Sequence, residues 1–181
     1  MDNEMLDQQQ LIAGCKRKDT GARKQLYERY APTMLGICIR YVNEKETARD
    51  ILQEGFIKVY TKIDSYSGAG SFEGWMKRIF ITSALEHLRA RSSFINNVNL
   101  DDYGEKLSDF DESIVENIAA EDILQCVNEL PAGFRTVFNL YAIEGYSHAE
   151  IARMLNIKES SSRSQLARAR YMLQAKIQEL Y

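Results

Sequence analysis

Apolar residues recur at three- and four-residue steps through most of this chain, the period of an amphipathic helix. Ile51, Leu52, Phe56, Val59 and Ile63 form one such series, and Phe72, Met76, Ile79, Ser83 and Leu88 form another. Capping signals punctuate the helices. Asp19 is placed to cap a helix through TGARKQLYERY, and Pro32 permits a fresh start or a kink before TMLGICIRYV. NEKE (43–46) is an Asn-x-x-Glu capping pattern opening TARDILQEGFIKVYTKI. SYSGAGS (65–71) is a loop of small residues before FEGWMKRIFITSALEHLRA. In the second half, Ser113 and Glu116 pattern a cap, Pro131 suits the first turn of a helix and Gly145 its stop. SHAE (147–150) is a capping box for HAEIARML, and NIKES then turns the chain into a long final helix. Nothing alternates in the manner of a strand. The expected fold is all-α: two small helical domains joined by an acidic linker, the C-terminal one a helix-turn-helix, winged-helix-like with no sheet.

Stepping 100° per residue along the final helix predicts a buried stripe of Leu166, Ala169, Leu173, Ile177 and Leu180. Ser161, Ser164 and Arg168 fall on the outward side, with Gln165 and Ala167 on its edges and Ser160 one turn earlier. Small and hydrogen-bonding residues let a helix approach a major groove, where Arg pairs with guanine and Gln with adenine. Arg163 and Arg170 fall on the margin of the stripe and are assigned to phosphates. A merely solvated face is the competing reading of the same residues.

Charge sharpens this picture once it is divided. The 181-residue chain has net charge −3, but residues 1–91 carry 15 Lys/Arg against 12 Asp/Glu. Residues 92–121 carry one lysine against 8 acids, and residues 122–181 carry 7 basic against 6 acidic residues. The acidity is thus concentrated in a middle segment rich in Asp, Ser and Asn, read as a linker over 92–114 between domains at 1–91 and 115–181. The polar start MDNEMLDQQQ and the lack of an apolar run near ~20 residues predict a cytoplasmic chain with no membrane insertion. Three scattered cysteines and two isolated histidines give no metal-ligand spacing. No metal, cofactor, catalytic group or small-molecule substrate is expected; SGAGS follows no strand and precedes no Gly-Lys-Ser/Thr.

A helix-turn-helix alone would fit an ordinary regulator that binds DNA by itself, so the N-terminal half has to discriminate. There, ARDILQEGFIKVY puts Asp50 and Glu54 four apart on one helical face, where they repel slightly and suit a basic partner. DILQEGFIKVY, the small-residue loop, FEGWMKRI, and then LPAGFRTVFNLYAIEGYSHAEIARML together resemble the bacterial RNA polymerase sigma factors of the extracytoplasmic-function (ECF, group IV) type. The resemblance covers about residues 10–91 and 115–178.

That resemblance implies a promoter-specificity subunit with no chemistry of its own. It implies docking of Asp50, Gln53, Glu54 and Phe56 on the clamp helices of core RNA polymerase. It also implies −10 recognition and melting by the loop and following helix, through Tyr66, Phe72, Trp75, Lys77, Arg78, Thr82 and Arg89. A flipped base would leave its stack there and be held by aromatic and basic neighbours, Arg91 among the latter. Trp75 is read both as helix packing and as a DNA contact. The serine–arginine helix implies −35 recognition through Ser160, Ser161, Arg163, Ser164, Gln165, Ala167, Arg168 and Arg170. The acidic linker implies either a polyanion mimic in a polymerase channel or a merely soluble tether. Anti-sigma factors are common partners in the family. Family members often carry Asn where Thr82 stands, and a basic and a bulky residue where Gln165 and Ala167 stand; the promoter read here is expected to be atypical.

Overall fold

A computed structural model describes residues 6–90 and 120–180, which are helical apart from short turns and loops. The chain divides into two compact units, Met1–Ala90 and Arg91–Tyr181. The acidic segment 92–114, Arg91 and the Ser113/Glu116 capping pattern lie outside the described residues.

In the first unit, α1 (Gln8–Lys16) starts at a capping box in which Asp7 and Gln10 serve each other's backbone. α2 (Thr20–Val42) is capped by Asp19, whose carboxylate accepts from the Ala22 amide at 2.7 Å. Pro32 neither restarts nor ends this helix; one run of 23 residues passes through it. Proline deletes one backbone bond, and the burial of Leu26 before it and Met34, Ile37, Cys38 and Tyr41 after it keeps the helix whole. Asn43 also departs from expectation. It sits at φ 55° and closes α2 rather than capping α3 (Lys45–Lys62). Asparagine tolerates this left-handed conformation better than most residues. Glu44 takes the N-cap position of α3 without a side-chain cap bond.

A 3₁₀ turn (Ile63–Ser65) and a loop lead to α4 (Phe72–Ala90). The apolar series of α3 is buried as its spacing requires, from Ile51 through Ile63. On α4 the buried set is broader than the expected stripe: Phe72, Met76, Ser83 and Leu88 are joined by Phe80, Ile81, Ala84 and Leu85, while Ile79 is only half-buried. Gly55 is what lets α3 and α4 meet. A Cβ there would stand 2.2 Å from the Phe80 ring, which is fully buried and has nowhere to go.

The second unit comprises α5 (Ala120–Asn128), α6 (Ala132–Phe138), α7 (His148–Leu155) and α8 (Glu159–Leu180). α6 unwinds into a π turn (Asn139–Ile143) before Gly145 ends it. Its core gathers Cys126, Val127, Leu130, Phe134, Ala169 and Leu173. Arg135 is buried and donates to the carbonyls of Asn128 and Leu130 at 3.1 Å each, so a cation ties the end of α5 to α6. Burial lowers its pKa from the ordinary guanidinium value. The expected stripe on α8 holds for Leu166, Ala169 and Leu173, fades at Ile177 and fails at Leu180, which is 59% exposed. All three cysteines are buried. Burial raises each thiol, Cys38 to about 12.

Candidate functional site

Three surfaces carry the residues singled out by sequence. The first is a ridge on α3. Steps of three and four place Asp50, Gln53 and Glu54 on one exposed face, opposite the buried Ile51, Leu52 and Val59. Glu54 does not merely face Asp50. It pairs with Lys58 at 2.8 Å, and Lys58 also reaches Glu86 at 2.8 Å and Ser83 at 3.0 Å. Burial works against the Lys58 charge, but the bonds to Glu54 and Glu86 prevail and hold its pKa above the ordinary lysine value.

Phe56 does not belong to this surface. It is 3% exposed, and its ring lies 4.7 Å from Tyr27, 5.2 Å from Phe80 and 6.0 Å from Tyr60. It supports the ridge from beneath. The apolar residue on the ridge is its neighbour Ile57, 64% exposed. The series 50, 53, 54, 57 marks it at helical spacing, a signal the sequence reading passed over.

The second surface is the loop after α3 and the start of α4. Gly68 and Gly70 adopt φ of 82° and 77°, which side chains other than glycine rarely accept. The Tyr66 hydroxyl donates to the Gly70 carbonyl at 2.8 Å and closes the loop. Ser71 accepts from the Gly74 amide at 3.0 Å and caps α4. Phe72 is fully buried, so it is not available to a nucleotide without refolding. It forms the floor of an aromatic step, with Trp75 stacked on it at 5.5 Å and Tyr66 edge-on at 5.1 Å. Tyr66 and Trp75 are half-buried above it.

Trp75, Arg78, Ile79 and Thr82 then line a groove of about 350 Å³ with Lys58 and Lys62 of α3. Thr82 donates its hydroxyl to the Arg78 carbonyl at 2.8 Å, which leaves the oxygen lone pairs as acceptors. Arg89 lies further along the same flank and is exposed. Lys77 is not brought into the groove. It falls on the other flank of α4 and pairs with Glu73 at 2.9 Å.

The third surface is α8 in its helix-turn-helix. Ser147 and Glu150 form the expected capping box of α7, and Asn156 turns the chain at φ 54°. Ser160, Arg163 and Arg170 are exposed, and Ser161, Ser164, Ala167 and Arg168 are half-buried. Gln165 is buried at 7% exposure and cannot edge a groove-facing surface. The buried arc of α8 is turned toward Gln165 by about 45° from the Leu166 centre, because Ser162 and Ala169 are fully buried. The same rotation frees Arg163 and Arg170 from the stripe margin.

Arg163 pairs with Glu159 one turn back, and Arg170 lies over the Tyr141 ring at 5.8 Å. Tyr141 stacks on His148 at 4.6 Å, and His148 Nδ1 is 2.9 Å from the Ser162 hydroxyl. This Tyr–His–Ser chain fixes α8 against α7. Burial, with Arg163 close by, lowers the His148 pKa from its ordinary 6.5. Sequence spacing offers no signal for it, since His148 and Ser162 belong to different helices.

No helix among the described residues is long and apolar enough to cross a membrane. Comparison with known proteins adds to these geometries. Residues 26–94 match Sigma-70 region 2 and residues 120–173 match Sigma-70, region 4. The chain is 30% identical over 187 residues to an ECF RNA polymerase sigma-E factor of Haemophilus influenzae, covering 98% of both chains. It is 29% identical over 182 residues to the RNA polymerase sigma-H factor of Pseudomonas aeruginosa, covering 95% of this chain and 94% of that one. The fold resembles that of a sigma factor solved with its anti-sigma factor NepR from Bartonella quintana, with a TM-score of 0.52, 20% identity, and 86% and 96% coverage of the two chains. A ridge, a glycine-built loop and a helix-turn-helix thus occur in one chain that matches both family models and near-full-length relatives, and the chain belongs to the ECF family of RNA polymerase sigma factors, which direct promoter-specific initiation of transcription.

Proposed function

We propose that the three surfaces divide the work of initiation among themselves. The α3 ridge of Asp50, Gln53, Glu54 and Ile57 docks on the clamp helices of core RNA polymerase, with Phe56 as its buried support. The single observation that carries this is exposure: four residues at helical spacing, two acidic and one apolar, face outward from a helix whose other side is sealed. The Tyr66–Ser71 loop and the groove of Trp75, Arg78 and Thr82 take the −10 element, with Arg89 along the same flank on phosphate. A base leaving its stack costs a few kcal/mol, which aromatic stacking on Tyr66 and Trp75 offsets in part. Lys77 reaches the DNA only after leaving Glu73. On α8, Ser160, Ser161, Ser164, Ala167 and Arg168 face the −35 bases, and Arg163 and Arg170 hold phosphates.

The domains act at 1–91 and 115–181, and the segment 92–114 joins them. The polymerase supplies all chemistry, and the protein works in the cytoplasm as a non-enzymatic subunit. The solved relative with NepR supports an anti-sigma factor as a further partner class.

The test is transcription in vitro from a promoter library with sigma-free core polymerase, with and without this protein. Discrete start sites that depend on the protein are expected. Asp50→Lys with Glu54→Lys should abolish them and the binding to core while leaving the helical content unchanged. Start sites that survive this double reversal would remove the docking assignment.

A further inference from the structure

The α3 ridge does not end at Ile57. It continues to Thr61, and both residues line a cavity of about 500 Å³ at the corner where α1 passes into α2. Lys16, Lys18 and Arg23 line the same cavity, against Asp64 as the one acid among its lining residues. Three cations so placed repel one another. Among the described residues none of the three forms an ion pair. Lys16 donates to the Tyr66 carbonyl at 3.2 Å. Arg23 lies over the Tyr60 ring at 5.2 Å, and its Nε is buried with no hydrogen-bond partner among the described residues. Lys18 occupies the left-handed region at φ 62°, an unusual conformation for a residue with a side chain. The corner thus gathers three cations in a cup at the far end of an acidic ridge.

We propose that this cup receives an acidic side chain from the same polymerase segment that docks on Asp50 and Glu54. The proposal rests on the docking reading above and adds a second pole to it. Continuity argues for one occupant, because Ile57 belongs both to the ridge and to the cavity wall. Charge argues for its chemistry: the segment carries a basic group over Asp50 and Glu54, an apolar contact at Ile57, and a carboxylate about 10–16 Å further on, the rise of α3 from Glu54 or Asp50 to Thr61. For a helical partner that spacing is about two to three turns. The groove lined by Trp75 and Arg78 opens on the other flank of the ridge, past Lys58 and Lys62, so nucleic acid bound there does not pass through the cup. A bipolar surface also fixes direction, since a partner laid in reverse would set like charges against both ends.

The full-length protein is titrated with core polymerase as wild type, as Lys16→Glu with Lys18→Glu, and as Asp50→Lys with Glu54→Lys. The lysine reversals are expected to weaken core binding by about tenfold or more. In parallel, a zero-length carbodiimide is applied to the wild-type holoenzyme. It is expected to join Lys16 or Lys18 to an Asp or Glu of a core polymerase peptide, identified by mass spectrometry. Unchanged core affinity in the lysine variant, with loss in the acidic variant, overturns the cup and leaves the ridge standing. Unchanged affinity in both removes the docking reading itself. Full core affinity with weakened promoter binding by the lysine-variant holoenzyme assigns the cup to phosphate and overturns the proposal. Crosslinks confined to carboxylates of this chain do the same.

Discussion

The two units of this chain are held together differently. Below residue 90 the buried residues are almost all apolar, with Thr47 and Ser83 the polar exceptions, and rings gather in two groups, Phe56 with Tyr27, Tyr60 and Phe80, and Phe72 with Tyr30, Tyr66 and Trp75. Beyond residue 120 the apolar core is smaller, and Arg135, Thr136, Asn139, Ser162 and Gln165 are buried within it. Apolar packing is non-directional, whereas hydrogen bonds are not. A unit that offers a ridge and a groove on rigid helices is served by the first. A unit that must hold one helix at a fixed angle to another is served by the second, through the Arg135 clamp and the His148–Ser162 bond.

The contrast is most severely tested at Arg135. Arg135→Ala leaves two carbonyls without their donor and should destabilise the second unit by about 3 kcal/mol in urea denaturation. A loss under about 1 kcal/mol would mean that apolar packing governs this unit too. The matching change in the first unit is Gly55→Ala, which drives a methyl group into the Phe80 ring. A loss of about 1–3 kcal/mol is expected there, with the second unit's transition unmoved.

A smaller effect separates the units by pH. The His148 pKa is lowered in the folded state, so the unfolded chain binds the proton more readily. The stability this group permits is fully present above the ordinary value of 6.5 and is lost as pH falls below it. Thermal melts should show the second unit weakening on acidification, and His148→Gln should flatten that slope.

The smallest change sharpens the picture at the proposed DNA face of α8. Glu159 places an acid in the first turn of α8 and occupies Arg163. Glu159→Gln removes repulsion toward phosphate and releases the arginine. Holoenzyme affinity for a promoter fragment should rise about twofold to fivefold; a fall would make the pair a support of the bound conformation.

Sequence made some of this legible because the signals were local. Asp19 capping α2, and Ser147 with Glu150 capping α7, depend on residues three apart. Misreadings arose where a distant element decided the outcome. Pro32 lies in an unbroken helix because burial on both sides overrides one lost bond. Asn43 fits two roles, and the end of α2 claimed it. Phe56 is a different case: helical spacing already sets it in the buried series with Ile51, Leu52, Val59 and Ile63, and only the family resemblance carried it to the surface where Ile57 stands. Gln165 is buried because Ser162 and His148 draw that side of α8 toward α7. The cationic cup joins residues of α1, α2, α3 and the turns beside them, and the run Lys16-Arg17-Lys18 is its one local sign.

Cys15, Cys38 and Cys126 are all enclosed, and their thiols are held well on the protonated side at neutral pH. Thiolate is the species that attacks maleimides, so enclosure and a raised pKa together should make the three native thiols slow toward such reagents. A single cysteine introduced at the exposed Ser67 would therefore take a fluorophore ahead of them. The loop proposed to meet promoter DNA could then be followed during melting in the otherwise unaltered chain.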